Sequence, residues 1–107
     1  LSPRCTTDIT AALARGGPVV ALESSVLAQG LEPPFNRQAA QRMAAAVVAA
    51  GATPAISAID AGTPVFGLEA ASLERFLART GVRKVSARDL GLAIADGADG
   101  ATTVAGT

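Results

Sequence analysis

Pro54-Ala55-Ile56-Ser57-Ala58-Ile59-Asp60 is a run of apolar and small residues opened by a proline and closed by the turn Ala61-Gly62-Thr63-Pro64. A run this short, bounded by turn formers, suits a buried strand better than a helix. Working back from it, Gly51 ends a stretch from Arg37 to Ala50 in which Ala40, Met43, Val47 and Ala50 recur at helical spacing. Arg37, Gln38, Gln41 and Arg42 fall on the other side of that stretch. Asn36 is placed to cap this helix, and ahead of it Pro18–Glu23, PVVALE, is a second apolar run of strand type. Glu23–Pro34 between them, with Gly30 and two adjacent prolines, reads as a long loop. Working forward, Val65–Gly67 reads as a short edge strand. The spacing of Leu73, Phe76 and Leu77 predicts a helix over 69–79, and Val82–Val85 predicts another strand. Ser86 with Asp89 three residues on resembles a capping box for a helix over 88–96. A first short helix is expected over 8–15, closed by Gly16-Gly17. Strand and helix alternate in units of about 30 residues, the βαβ pattern. The expectation is one α/β segment over residues 1–107, with at least three strands, mostly parallel, joined by right-handed crossovers.

Composition narrows the chemistry. The 107 residues carry 9 basic and 9 acidic side chains, no His, one Cys and three Phe. Without His there is no Ser-His-Asp or Cys-His catalytic set, so Ser24 and Ser25 are poor candidates for hydrolase nucleophiles. A single cysteine, Cys5, makes no internal disulfide and no multi-thiolate zinc site. Zero net charge with few aromatic rings argues against nucleic acid as a partner. The apolar run Met43–Ala52 is about half of the roughly 20 residues a membrane span needs. Together with an N-terminus lacking the apolar core of a secretory signal, this gives the expectation of a cytoplasmic protein. Leu1 opens the sequence in place of an initiator methionine, and ATTVAGT at the other end reads as the start of an element. The chain is therefore expected to be a processed product or part of something longer.

Ligands of open α/β sheets bind beyond the C-terminal ends of the strands. That rule singles out Glu23-Ser24-Ser25, Lys84-Val85-Ser86 and Thr102-Thr103-Val104. Glu23 ends an otherwise apolar strand, where a carboxyl partly withdrawn from water suits proton delivery near neutral pH; the alternative is a loop carboxylate in solvent. Lys84, the only lysine, either reaches a crevice where an ammonium would meet a phosphate or sugar hydroxyl, or is a solvated edge residue. The glycine-rich GADGATTVA offers backbone amides and two hydroxyls to an anion but matches no phosphate-binding fingerprint, and turn-forming glycines with surface threonines explain it better.

Five blocks carry a further signal by their order: VVALESSVLAQGL (19–31), PPFN (33–36), GATPAISAIDAGTPVFGL (51–68), VRKVSARDL (82–90) and GATTVAGT (100–107). Their succession resembles the pseudouridine-5'-phosphate glycosidases, also called indigoidine synthase A-like proteins. The resemblance runs from about Pro18 to Thr107. It implies a three-layer α/β/α fold of which these residues are an incomplete portion, a homotrimer and a divalent metal, usually manganese. It also implies reversible cleavage of the C–C glycosidic bond of pseudouridine 5'-phosphate to uracil and ribose 5-phosphate. On the matching positions, Glu23 is the proton donor, Lys84 contacts substrate, and Val104 meets it through its backbone, with Thr103 beside it as a further candidate. In such enzymes the ribose is opened and held as an imine on a lysine, an electron sink that a C–C bond without a leaving heteroatom requires. Two departures stand out. Gln29 occupies the place of the family's usual His and cannot titrate. The family's imine-forming lysine and metal-binding aspartate lie downstream of the ATTVA block, outside these residues. The alternative to an enzyme is an incomplete module that at most binds a phosphosugar or packs against a partner, and the isolated residues are expected to be prone to aggregation.

Overall fold

The computed structural model describes residues 3–107. In chain order the elements are β1 (Arg4–Cys5), α1 (Thr7–Ala14), β2 (Val19–Leu22), a π-helical turn (Val26–Gly30), α2 (Phe35–Ala49), β3 (Thr53–Asp60), β4 (Thr63–Phe66), α3 (Ala70–Ala78), β5 (Val82–Val85), a 3-10 turn (Ala87–Asp89), α4 (Leu90–Ala95) and β6 (Asp99–Thr102). β3, the longest strand, is the centre of the sheet. On one side it forms a hairpin with β4, which in turn pairs in parallel with β1. Its other side is shared: β2 lies parallel along Thr53–Ile56, and β6 lies antiparallel against Ala58 and Ile59. β5 pairs in parallel outside β6. Three of the five pairings are therefore parallel, as expected, with β3 the meeting point of both senses.

Successive β3 side chains point to opposite faces, and the packing follows. Ala58 packs with Ala28, Val65, Phe76 and Ala101 beneath α3 and the π-helical turn. On the same face Ile56 joins Leu27, Ala40 and Leu77 beneath α2. Ile59 on the reverse face packs with Val85 and Ala93 of α4. Helices on both sides of a central sheet give the three layers. Half of the buried apolar residues are alanine, which lets helices lie close to the sheet.

Four details differ from the sequence expectation. β1 forms where no strand is predicted, and it covers β4, so β4 is not an edge strand. The expected loop over 23–34 contains the π-helical turn. The helix over 88–96 begins as a 3-10 turn, although its Ser86–Asp89 capping box is present. Asn36 is not the N-cap residue of α2, although its Oδ1 accepts from the first-turn N–H of Arg37 (2.8 Å). It lies inside the first turn, buried, and its Nδ2 donates to the carbonyls of Leu27 (3.0 Å) and Leu77 (2.9 Å). The cap position falls to Pro34, because the helix starts one residue before Asn36.

The hairpin turn Ala61-Gly62 has φ of 46° and 85°, the left-handed pair that a two-residue hairpin requires. Gly62 is also confined: a Cβ there would lie 2.8 Å from Gly97 Cα. Below this turn sits an ion cluster. The buried Asp60 carboxylate accepts from Arg4 (2.8 Å), Ser72 (2.7 Å) and Arg75, and Arg75 also grips Asp99 through Nη2 (3.0 Å) and Nε (3.2 Å). The cluster ties β1, α3 and β6 to the end of β3. Burial alone would raise the Asp60 carboxyl, but the bonds from Ser72 and Arg75, the Arg75 charge and the bond from Arg4 together hold it below its ordinary range. Asp99 is lowered chiefly by its bonds from Arg75.

Asn36→Ala strands two buried carbonyls and is expected to cost about 2–4 kcal/mol in chemical denaturation, and Asn36→Asp more, since a carboxylate would face both oxygens. Asp60 and Asp99 ionise more readily folded than unfolded, so the stability they contribute is complete above the unfolded carboxylate range near about pH 4 and is lost as pH falls through their lower folded values. The thermal midpoint should fall below about pH 4, and Asp60→Asn should flatten part of that fall.

Candidate functional site

β2 runs parallel to β3 and β6 runs antiparallel to it, so on the shared side of β3 their C-terminal ends meet head-on. Because β5 is parallel to β6, its C-terminal end arrives at the same place, with Val85 opposite Thr102. The three strand ends singled out from sequence are thus brought together. The joint is closed by hydroxyls. Ser24 N–H donates to Thr102 O (3.1 Å), and Thr102 N–H donates back to Ser24 Oγ (2.8 Å). Both Ser24 Oγ (2.6 Å) and Thr102 Oγ1 (2.9 Å) donate to Ser57 O of β3.

The four predicted contact residues divide between two separate clefts, lined by the consecutive residues Val104 and Thr103. Glu23 and Val104 line one of about 470 Å³, with Val26, Met43 and Thr107 around them. Lys84 and Thr103 line the other, of about 290 Å³, with Ser86, Arg88 and Asp89. Glu23 is half-buried and accepts one hydrogen bond, from Ser25 Oγ (3.3 Å). Lys84 is exposed, and Val104 is 79% exposed. Asp89 in the second cleft is held below the usual carboxylate range by the backbone N–H and the hydroxyl of Ser86, and lies 4.0 Å from Arg88 Nε.

The segment carrying Glu23 is fastened from three directions. Arg79, left-handed at the end of α3 (φ 66°), donates to the carbonyls of Ala28 and Gln29, both at 3.0 Å. Asn36 holds Leu27 O, and Gln29 Nε2 donates to Val82 O (3.1 Å) at the start of β5. Gln29 Oε1 is buried and has no partner among the described residues. Gln29 therefore braces the π-helical turn against β5. Sequence reasoning missed Arg79 and the Ser24–Thr102 joint. The hydroxyl next to Glu23 was visible only as a nucleophile lacking a base.

A family model described as indigoidine synthase A like protein matches residues 8–107. The chain belongs to the indigoidine synthase A-like family. Within it, a pseudouridine-5'-phosphate glycosidase of Gemmatimonas aurantiaca is 68% identical over all of this chain and 35% of its own length. Another from Herpetosiphon aurantiacus is 49% identical over 94% of this chain and 33% of its own length. Among solved structures, the prealnumycin C-glycosynthase AlnA in complex with ribulose 5-phosphate superposes with a TM-score of 0.85 at 45% identity, covering 97% of this chain and 33% of that one. An indigoidine synthase A-like protein from Thermotoga maritima gives 0.77 at 31% identity, covering 84% of this chain and 30% of that one. The chain spans about a third of the length of the curated relatives it matches.

Among the described residues of this family member, no three His, Cys, Asp or Glu side chains gather as a metal site would require, and no helix is long and apolar enough to cross a membrane. The turn after β6 is the part of the site most dependent on backbone. Thr103 O accepts from Thr107 N (2.9 Å), and Thr103 Oγ1 accepts from Gly106 N (3.1 Å). A Cβ on Gly106 would lie 2.6 Å from Val85 O, a clash with backbone that cannot be relieved by a side-chain rotation. Gly106→Ala is expected to lower the thermal midpoint and to speed hydrogen exchange at the Thr107 amide. Unchanged exchange there would show that the turn accommodates the methyl group.

Proposed function

We propose that these residues supply the proton donor and the phosphosugar-facing wall of a pseudouridine-5'-phosphate glycosidase. The observation that supports the reading is that Glu23 with Val104, and Lys84 with Thr103, line two clefts formed at the strand ends on either side of the Ser24–Thr102 joint. The names of the relatives and the ribulose 5-phosphate bound by AlnA support it. Glu23 delivers a proton to the ribose ring oxygen during opening or to the departing uracil carbon. Lys84, a compact charge on a flexible stem, meets the phosphate or a sugar hydroxyl, while the backbone of Val104, beside Thr103, lies against the sugar. The imine-forming lysine, manganese and its aspartate ligand, the homotrimer and the cytoplasmic setting belong to the same proposal through the family resemblance. Lysine and metal ligand are assigned to residues outside these 107. The 107 residues alone are therefore proposed to bind a phosphosugar at most.

The test uses the protein at the length of its relatives, with manganese and pseudouridine 5'-phosphate, following free uracil. Glu23→Gln is expected to lower kcat at least about 100-fold, the ordinary range for a general acid. Lys84→Met is expected to raise KM about tenfold or more with a smaller change in kcat. Wild-type turnover by Glu23→Gln would overturn the proton-donor role, and uracil released by residues 1–107 alone would overturn the division of the site.

A further inference from the structure

Glu23 is the residue on which the proposed chemistry turns, yet its carboxylate is held by a single 3.3 Å bond from Ser25. Its position must come from its backbone. The next residue, Ser24, is fully buried, and each of its polar atoms is engaged. Its N–H donates to Thr102 O, its hydroxyl donates to Ser57 O and accepts from Thr102 N–H, and its carbonyl accepts from Leu27 N (3.1 Å) and Ala28 N (3.2 Å). Thr102 leads directly into Thr103 and Val104. Ser24 is thus covalently joined to the proton donor and doubly hydrogen-bonded to the residue that leads into the sugar-facing backbone.

We infer that Ser24 is a positioning residue that fixes Glu23 relative to the Thr103–Val104 backbone through its hydroxyl clasp on Thr102 and Ser57. The inference rests on the reading of Glu23 as proton donor. The physical ground is that a shift of about 1 Å in a reacting group can cost on the order of 100-fold in rate. A hydroxyl that both donates and accepts at this joint holds two segments at once, where alanine would leave the Thr102 N–H buried and unpaired. The sulfur of cysteine, being larger and a weaker hydrogen-bonding group, would hold them loosely.

The experiment is a double-mutant cycle in the protein at the length of its relatives, with uracil release measured at enzyme concentrations that resolve residual rates. Ser24→Ala is expected to lower kcat 10- to 100-fold, to leave KM within threefold, and to add less than threefold to the loss already present in Glu23→Gln. A residue acting through Glu23 gives this non-additivity; a merely structural serine lowers both backgrounds by the same factor. The inference is overturned if folded Ser24→Ala keeps kcat within threefold of the parent, or if its loss is equal in the two backgrounds. If Ser24→Ala does not fold, Ser24→Cys is read by the same criteria. Wild-type turnover by Glu23→Gln would instead remove the proton-donor reading and this inference with it, so the two failures are distinguishable.

Discussion

Two strands that approach each other along one side of a third leave a gap in the ladder, and the backbone groups at that gap are buried. An unpaired buried amide or carbonyl costs about as much as a large fraction of the net stability of a small domain, so the gap has to be filled before the sheet can exist in this form. Here β2 and β6 meet beside Ser57, and a serine and a threonine hydroxyl complete the bonding that continuous strands would have provided. Everything on that side of β3 depends on the arrangement: the register of β6, the placement of β5 outside it, and the clefts that open where the strand ends converge.

The rest of the molecule is held in a similar manner, by a few polar contacts acting on a lean apolar core. Alanine contributes little buried area per residue, so packing alone would leave the helices free to slide. Asn36 bonds α2 to the π-helical turn and to the end of α3, and Arg79 grips the same turn from α3. At the far end of β3 the Asp60–Arg75–Asp99 cluster performs the equivalent task for the hairpin, α3 and β6. The Arg79 backbone takes up a left-handed conformation that glycine would adopt more readily, and its guanidinium bonds to two carbonyls account for arginine at that position.

Periodicity and turn residues were enough to read β2, β3, β5, α2 and α3, because each is bounded by Gly or Pro and carries its own apolar pattern. They were not enough for β1, which has no pattern of its own and forms because Arg4 reaches Asp60 and the backbone finds β4. Asn36 read as a cap because its type is favoured there; its cross-links are long-range and leave no local trace. The positions of Glu23, Lys84, Thr103 and Val104 at strand ends were legible from the rule for parallel sheets. Strand direction was not: β6 is antiparallel to β3, and that reversal is what turns the end of β6 toward the end of β2. The family blocks marked the same residues because those blocks span the strand ends, whereas Ser24, inside one of them, showed its role only when Thr102 and Ser57 were in place beside it.

The joint also sets the order in which the molecule can assemble. The β3–β4 hairpin closes over two residues, while Ser24 and Thr102 are 78 residues apart in the chain. Loop-closure entropy grows with the logarithm of that separation, and contacts of high sequence separation form late. During synthesis the hairpin and α3 can form well before β6 has emerged, leaving the side of β3 beyond β2 open until nearly all of these residues are available. The clefts accordingly cannot be complete until β6 is in place beside β2.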